Sequence, residues 1–108
     1  MKEIVVFVTT SSEEEAVKIS RVLVEKKLVA CANIVPKVRS IFSWEGKIEE
    51  EQESLIIFKS TESRFEKLMN KIKDLHSYSV PEVISLPINQ GLPEYLKWMH
   101  DMTQESPP

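Results

Sequence analysis

The chain has 108 residues, 42% of them apolar and 29% charged, which is enough for one ordinary core and too few for a second domain. A formal net charge of −3 offers no basic surface for nucleic acid or for an anionic membrane. No apolar run reaches the roughly 20 residues of a membrane span, and the apolar stretch at residues 4–8 is too short for a signal peptide; a single cytoplasmic domain over residues 1–108 is expected.

Residues 3–10 are rich in β-branched and aromatic side chains over a length too short for a helix, which predicts a first strand, apolar on both faces. Ser11 and Ser12 each precede an acid by three positions, Glu14 and Glu15, which is capping-box spacing, and Glu13 to Glu15 suit a positive first turn. A helix of about 15 residues follows, with Ala16, Ile19, Leu23 and Val17, Val24, Leu28 forming its apolar stripe. Residues 30–43 and 47–59 then read as a long hairpin around Trp44-Glu45-Gly46-Lys47. Pro36 lacks an N–H and confines its strand to an edge or a bulge. Phe65, Leu68, Met69, Ile72 and Leu75 repeat at helical spacing and predict a second helix over 63–75. A fourth strand is expected from Val80 to Ile88, opened by Pro81. A short last helix carries Leu92, Tyr95, Leu96, Met99 and Met102, and residues 104–108 are expected to fray.

Strand, helix, strand, strand, helix, strand is the α+β order of a ferredoxin-like βαββαβ sandwich, here with an extra C-terminal helix. Right-handed crossovers place strands one and three centrally and strands two and four at the edges. Two helices cover one face of such a sheet, yet Ile4, Val6 and Val8 alternate with Val5 and Phe7. The remaining apolar face calls for further copies of the same chain.

Catalytic signatures are scarce: there is no GxxxxGK, no GxSxG and no HExxH, and only two glycines. The chain is therefore read as a non-enzyme. Cys31 is the only cysteine, so no intrachain disulfide forms. It is open to two readings, a thiolate ligand or nucleophile and a small buried side chain between Ala30 and Ala32, and most free cysteines are of the second kind. His76 suits a negative helix terminus and equally a polar pocket with Tyr78 and Glu82. His100, out of step with the apolar series, is expected to face solvent. Glu49, Glu51 and Glu53 alternate on one strand face, a solvated run with Glu53, nearest the core, as the exception. Trp44 beside the turn suits contact with a neighbouring subunit or packing on its own sheet.

These residues resemble the divalent-cation-tolerance proteins called CutA over about residues 3–100. The resemblance is carried by Ala30-Cys31-Ala32-Asn33-Ile34, Ser40 through Lys47, Glu53 through Lys59, His76-Ser77-Tyr78 with Pro81-Glu82, and Gly91 with Tyr95-Leu96 and Trp98. It implies a homotrimer with PII-like architecture, helices outside and sheets within. It also implies tolerance of divalent cations, with copper the expected metal and none required for folding. Some bacterial relatives carry a Cys near the end of the first strand and a His-His pair ending the second helix, at positions that look like Val8 and Leu75-His76. Only His76 is retained. His76 and Cys31 are the candidate metal ligands, and Trp44, Glu53, Lys59, Tyr78 and Glu82 the candidate lining of an intersubunit cleft. A second reading is a PII-like signalling or scaffold module that binds a small molecule or partner protein in that cleft. An enzyme using His76 and a carboxylate has only residue types in its favour.

Overall fold

The computed structural model describes residues 2–104; of the tail expected to fray, 105–108 lie outside the described residues. The elements are β1 (Glu3–Thr10), α1 (Glu13–Glu25), β2 (Cys31–Trp44), β3 (Lys47–Thr61), a 3-10 turn (Glu62–Arg64), α2 (Phe65–Leu75), β4 (Ile84–Pro87) and α3 (Pro93–Met102). The sheet order is β2-β3-β1-β4, antiparallel throughout. This is the ferredoxin-like arrangement, with the two doubly apolar strands in the middle and the Pro36 strand at an edge.

Each boundary has a local cause. Ser12 caps α1 by accepting the Glu15 N–H at 3.1 Å, while the Glu15 carboxylate accepts the N–H of Ser11 at 3.1 Å. The helix closes in a Schellman motif, with Leu28 N–H donating to Leu23 O and Lys27 N–H to Val24 O, two residues short of the expected length. Pro36 sits in a register shift between Val35 and Val38, and its carbonyl accepts the Ser54 hydroxyl at 2.7 Å. Glu45 and Gly46 both have positive φ, 49° and 78°, the type I′ geometry that matches hairpin twist. The fourth strand is a correction. It spans four residues, Ile84–Pro87, and Pro81 does not open it; ahead of it Ser77 and Tyr78 bond to Glu15 of α1 and Glu53 of β3.

β1 buries every second residue. Ile4, Val6 and Val8 meet Ile56 and Phe58 of β3 under Ala16, Ile19 and Leu23 of α1 and Leu68 and Ile72 of α2. The buried Ser60 hydroxyl donates to Leu28 O at 2.7 Å and ties the α1–β2 connection to this core. On the opposite face α3 rests against β1 and β3, burying Met99 completely. It covers only part of that face: Val5, Phe7, Leu55 and Ile57 stay half-buried, and Ile84 and Leu86 are about half exposed at 53% and 50%.

Candidate functional site

The segment after α2 is pinned by side chains. The first is His76, at the C-cap of α2, with a side chain fully shielded from solvent. Its Nε2 lies 2.7 Å from the Thr9 carbonyl, and its Nδ1 accepts the Tyr78 N–H at 3.0 Å. With Nδ1 accepting from Tyr78 and Nε2 against the Thr9 carbonyl, both ring nitrogens are engaged. Glu15 holds the next residue, accepting Ser77 N–H at 2.7 Å and its hydroxyl at 3.1 Å. Burial pushes the Glu15 carboxyl up, but the bonds from Ser77 and Ser11 outweigh it and hold the group below its usual range.

Tyr78 stacks tilted on His76, with ring centroids 4.7 Å apart, and donates its hydroxyl to Glu53 Oε2 at 2.7 Å. Burial and the Glu53 carboxylate push the phenol well above its ordinary value. Glu53 is itself buried, the expected exception among the β3 acids. Glu82 stands close enough to feel it: partial burial of its carboxyl, and then the Glu53 charge, raise Glu82 above the ordinary carboxylate range. Two carboxyls and a phenol thus converge at one end of the sheet, a set of oxygen donors suited to a hard or borderline cation or to a polar small molecule.

Cys31 belongs to a different place. It is partly exposed rather than buried, a correction that follows from its position on the incompletely covered face, where it pairs with Lys59 at a sheet edge. Asn33 Oδ1 lies 3.8 Å from its sulfur and also accepts the Lys59 ammonium. Tyr95 of α3 approaches the thiol, and burial and then Cys31 raise its phenol. His100 is another correction. Its side chain is only 19% exposed and bonds Glu3 on β1, because α3 folds back over the start of that strand; this hydrogen bond lowers the Glu3 carboxyl.

The structure brings Glu53, Tyr78 and Glu82 together, with His76 behind them. It does not bring in Lys59 or Trp44 within one chain. Lys59 lies six residues along β3 from Glu53, and Trp44 pairs with Lys47, six residues the other way, each about 20 Å distant at roughly 3.3 Å per residue. Trp44 is 61% exposed at the hairpin tip. Cys31 shares a row with Lys59 and Val5, four residues of β1 from the Thr9 carbonyl that holds His76. The two candidate ligands are therefore at least about 13 Å apart. Among the described residues no group of three or more His, Cys, Asp or Glu side chains is arranged to hold a metal. Glu15 is the residue that sequence reasoning saw only as a cap. Its second role, across 62 residues, left no local signal.

Residues 4–102 match the family model described as CutA1 divalent ion tolerance protein. The chain belongs to the CutA1 family. The CutA match runs from β1 to the end of α3, so it takes in the whole His76–Tyr78–Glu53 group. The divalent-cation tolerance protein CutA of Thermus thermophilus is 48% identical over 101 residues, covering 94% of this chain and 98% of that protein. Mouse protein CutA is 45% identical over 98 residues, covering 91% of this chain but 55% of its own length. The crystal structure of CutA1 from Oryza sativa superposes with a TM-score of 0.95 at 42% identity, covering 98% of this chain and 97% of that one. Among the described residues no helix is long and apolar enough to cross a membrane.

Proposed function

We propose that this chain is a cytoplasmic, non-enzymatic homotrimer that binds divalent metal ions, copper foremost, as part of metal tolerance. The observation that carries the assembly is surface left uncovered. The chain exposes 7264 Å², against about 6,200 Å² for a compact monomer of its size, and its Cα radius of gyration is 14.6 Å against about 13 Å. The projecting hairpin and the half-covered sheet face carry exposed apolar side chains, among them Ile41, Trp44, Ile84 and Leu86, which copies of the chain would bury. The metal reading rests on family membership and depends on assembly. One chain does not supply a closed site, since His76 has both nitrogens engaged and Cys31 is remote. Copies meeting at their edges would add donors to Glu53 and Glu82, with Cys31 as sulfur ligand, or with His76 as nitrogen ligand once it gives up its bond to Thr9 O or to Tyr78 N–H.

The second reading, a PII-like signalling or scaffold module binding a small molecule or partner at the intersubunit cleft, is favoured by the Glu53–Tyr78–Glu82 group, which is polar and in which the Tyr78 hydroxyl bonds Glu53. Sedimentation equilibrium tests the trimer, and a folded monomer at low micromolar concentration would refute it. Calorimetric titration of copper, zinc and a panel of small metabolites into wild type, His76→Ala and Cys31→Ser tests the site. Weakened copper binding in either variant supports the metal reading. Copper affinity unchanged in both removes these ligands and favours the cleft module.

A further inference from the structure

A second site lies in the helical layer, away from the His76–Tyr78–Glu53 group and from Cys31. Between the end of α1 and the outer face of α2 is a wide groove of about 720 Å³. Lys26, Lys27, Arg64, Lys67 and Lys71 line it, against two carboxylates, Glu25 and Asp74, on a chain whose formal net charge is −3. Lys67 and Lys71 are one turn apart on α2, so their stems rise from the same face. Arg64 and Lys67 have partners within the chain; the argument rests on the other three lysines.

The backbone at Lys27 points to a role for its side chain. Lys27 is the C′ residue of the Schellman motif, with φ at 59°. Glycine fills this position most often, since a side chain with a Cβ is strained in the left-handed region. Such strain persists where something else is gained. The negative end of α1 welcomes Lys26 and Lys27 as charges, but a glycine would complete the turn without strain. Nor does that helix end account for Lys71, in the middle of α2, turned toward the same groove.

We propose that this groove is a binding site for a small phosphate-bearing polyanion, with Lys26 and Lys27 supplying charge from the α1 terminus and Lys71 from α2. Its breadth accommodates several phosphate groups, and three flexible ammonium groups suit a ligand of distributed charge. The acidic balance of the rest of the chain disfavours a long nucleic acid. The groove lies in the helical layer, so burial of the free sheet face in an assembly leaves it open, and it is independent of the metal reading.

The test uses sodium tripolyphosphate as the probe, titrated into the intact protein at low salt and followed by calorimetry and by amide chemical shifts. Wild type is expected to bind saturably, one per chain, with shifts centred on residues 25–28 and 67–74. Lys27→Gly and Lys71→Gln should each weaken binding by about three- to tenfold, while Lys47→Gln at the hairpin tip leaves it unchanged. Lys27→Gly should at the same time raise the ligand-free Tm, a change that loss of structure would not produce. Absence of saturable binding at millimolar tripolyphosphate, or equal weakening by Lys47→Gln, overturns the proposal. A single-stranded RNA oligonucleotide bound more tightly than tripolyphosphate through the same lysines also overturns it, in favour of a nucleic-acid surface.

Discussion

The Tyr78 hydroxyl reaches Glu53 at 2.7 Å, and so ties the irregular segment after α2 to the long strand β3. Glu53 is buried, and a buried carboxylate that loses a donor retains its desolvation cost. Tyr78→Phe should therefore destabilise the protein by about 1–2 kcal/mol, measured by denaturant unfolding. A double-mutant cycle with Glu53→Gln should show a coupling of about 1 kcal/mol; additive effects would mean that the two groups do not depend on each other.

Glu15 links α1 to the same segment, and its carboxyl is held below the ordinary value of 4.5. A depressed acid contributes stability that is complete above its unfolded pKa and is lost as pH falls through its folded pKa. Wild type should thus lose stability on acidification below about pH 4.5 more steeply than Glu15→Gln. Thermal melts at intervals from pH 7 to pH 3 would show the two curves converging. Parallel curves would exclude Glu15 as a source of the acid sensitivity.

For Glu82 the sign is reversed. Partial burial and the Glu53 charge raise its carboxyl, so the folded state resists its ionisation, and stability falls as pH rises from the unfolded pKa through the higher folded one. Glu82→Gln should raise Tm at pH 7 while leaving Tm at pH 3 nearly unchanged. Where the cation reading holds, the same substitution weakens copper binding, so the group would trade stability for a ligand.

Trp44 stands 61% exposed beside a type I′ turn, on a hairpin that extends the molecule to 46 Å in its longest dimension. Its own sheet does not cover it. If the proposed trimer forms, Trp44→Ala should leave the far-ultraviolet circular dichroism spectrum unchanged and speed subunit exchange between labelled copies of the chain. Unaltered exchange and unaltered Tm would show the tip to be solvated.

The local sequence determined the elements and their order, because period-2 and period-3.6 patterns, capping serines, Pro36 and Gly46 act over a few residues. It also marked the sheet face that two helices could not cover. Family membership was legible in the spacing of short motifs along the chain. Tertiary structure decided what depended on contacts between distant residues. Glu15 serves Ser77, His76 is held by Thr9, and His100 folds onto Glu3, across 62, 67 and 97 residues. No local periodicity encodes such pairs. The strand expected from Val80 begins only at Ile84, after Ser77 and Tyr78 have been held by Glu15 of α1 and Glu53 of β3. Likewise, the five residues expected to line a cleft between subunits lie in three places within one chain, since a strand advances about 3.3 Å per residue and holds apart in one chain what the sequence keeps apart.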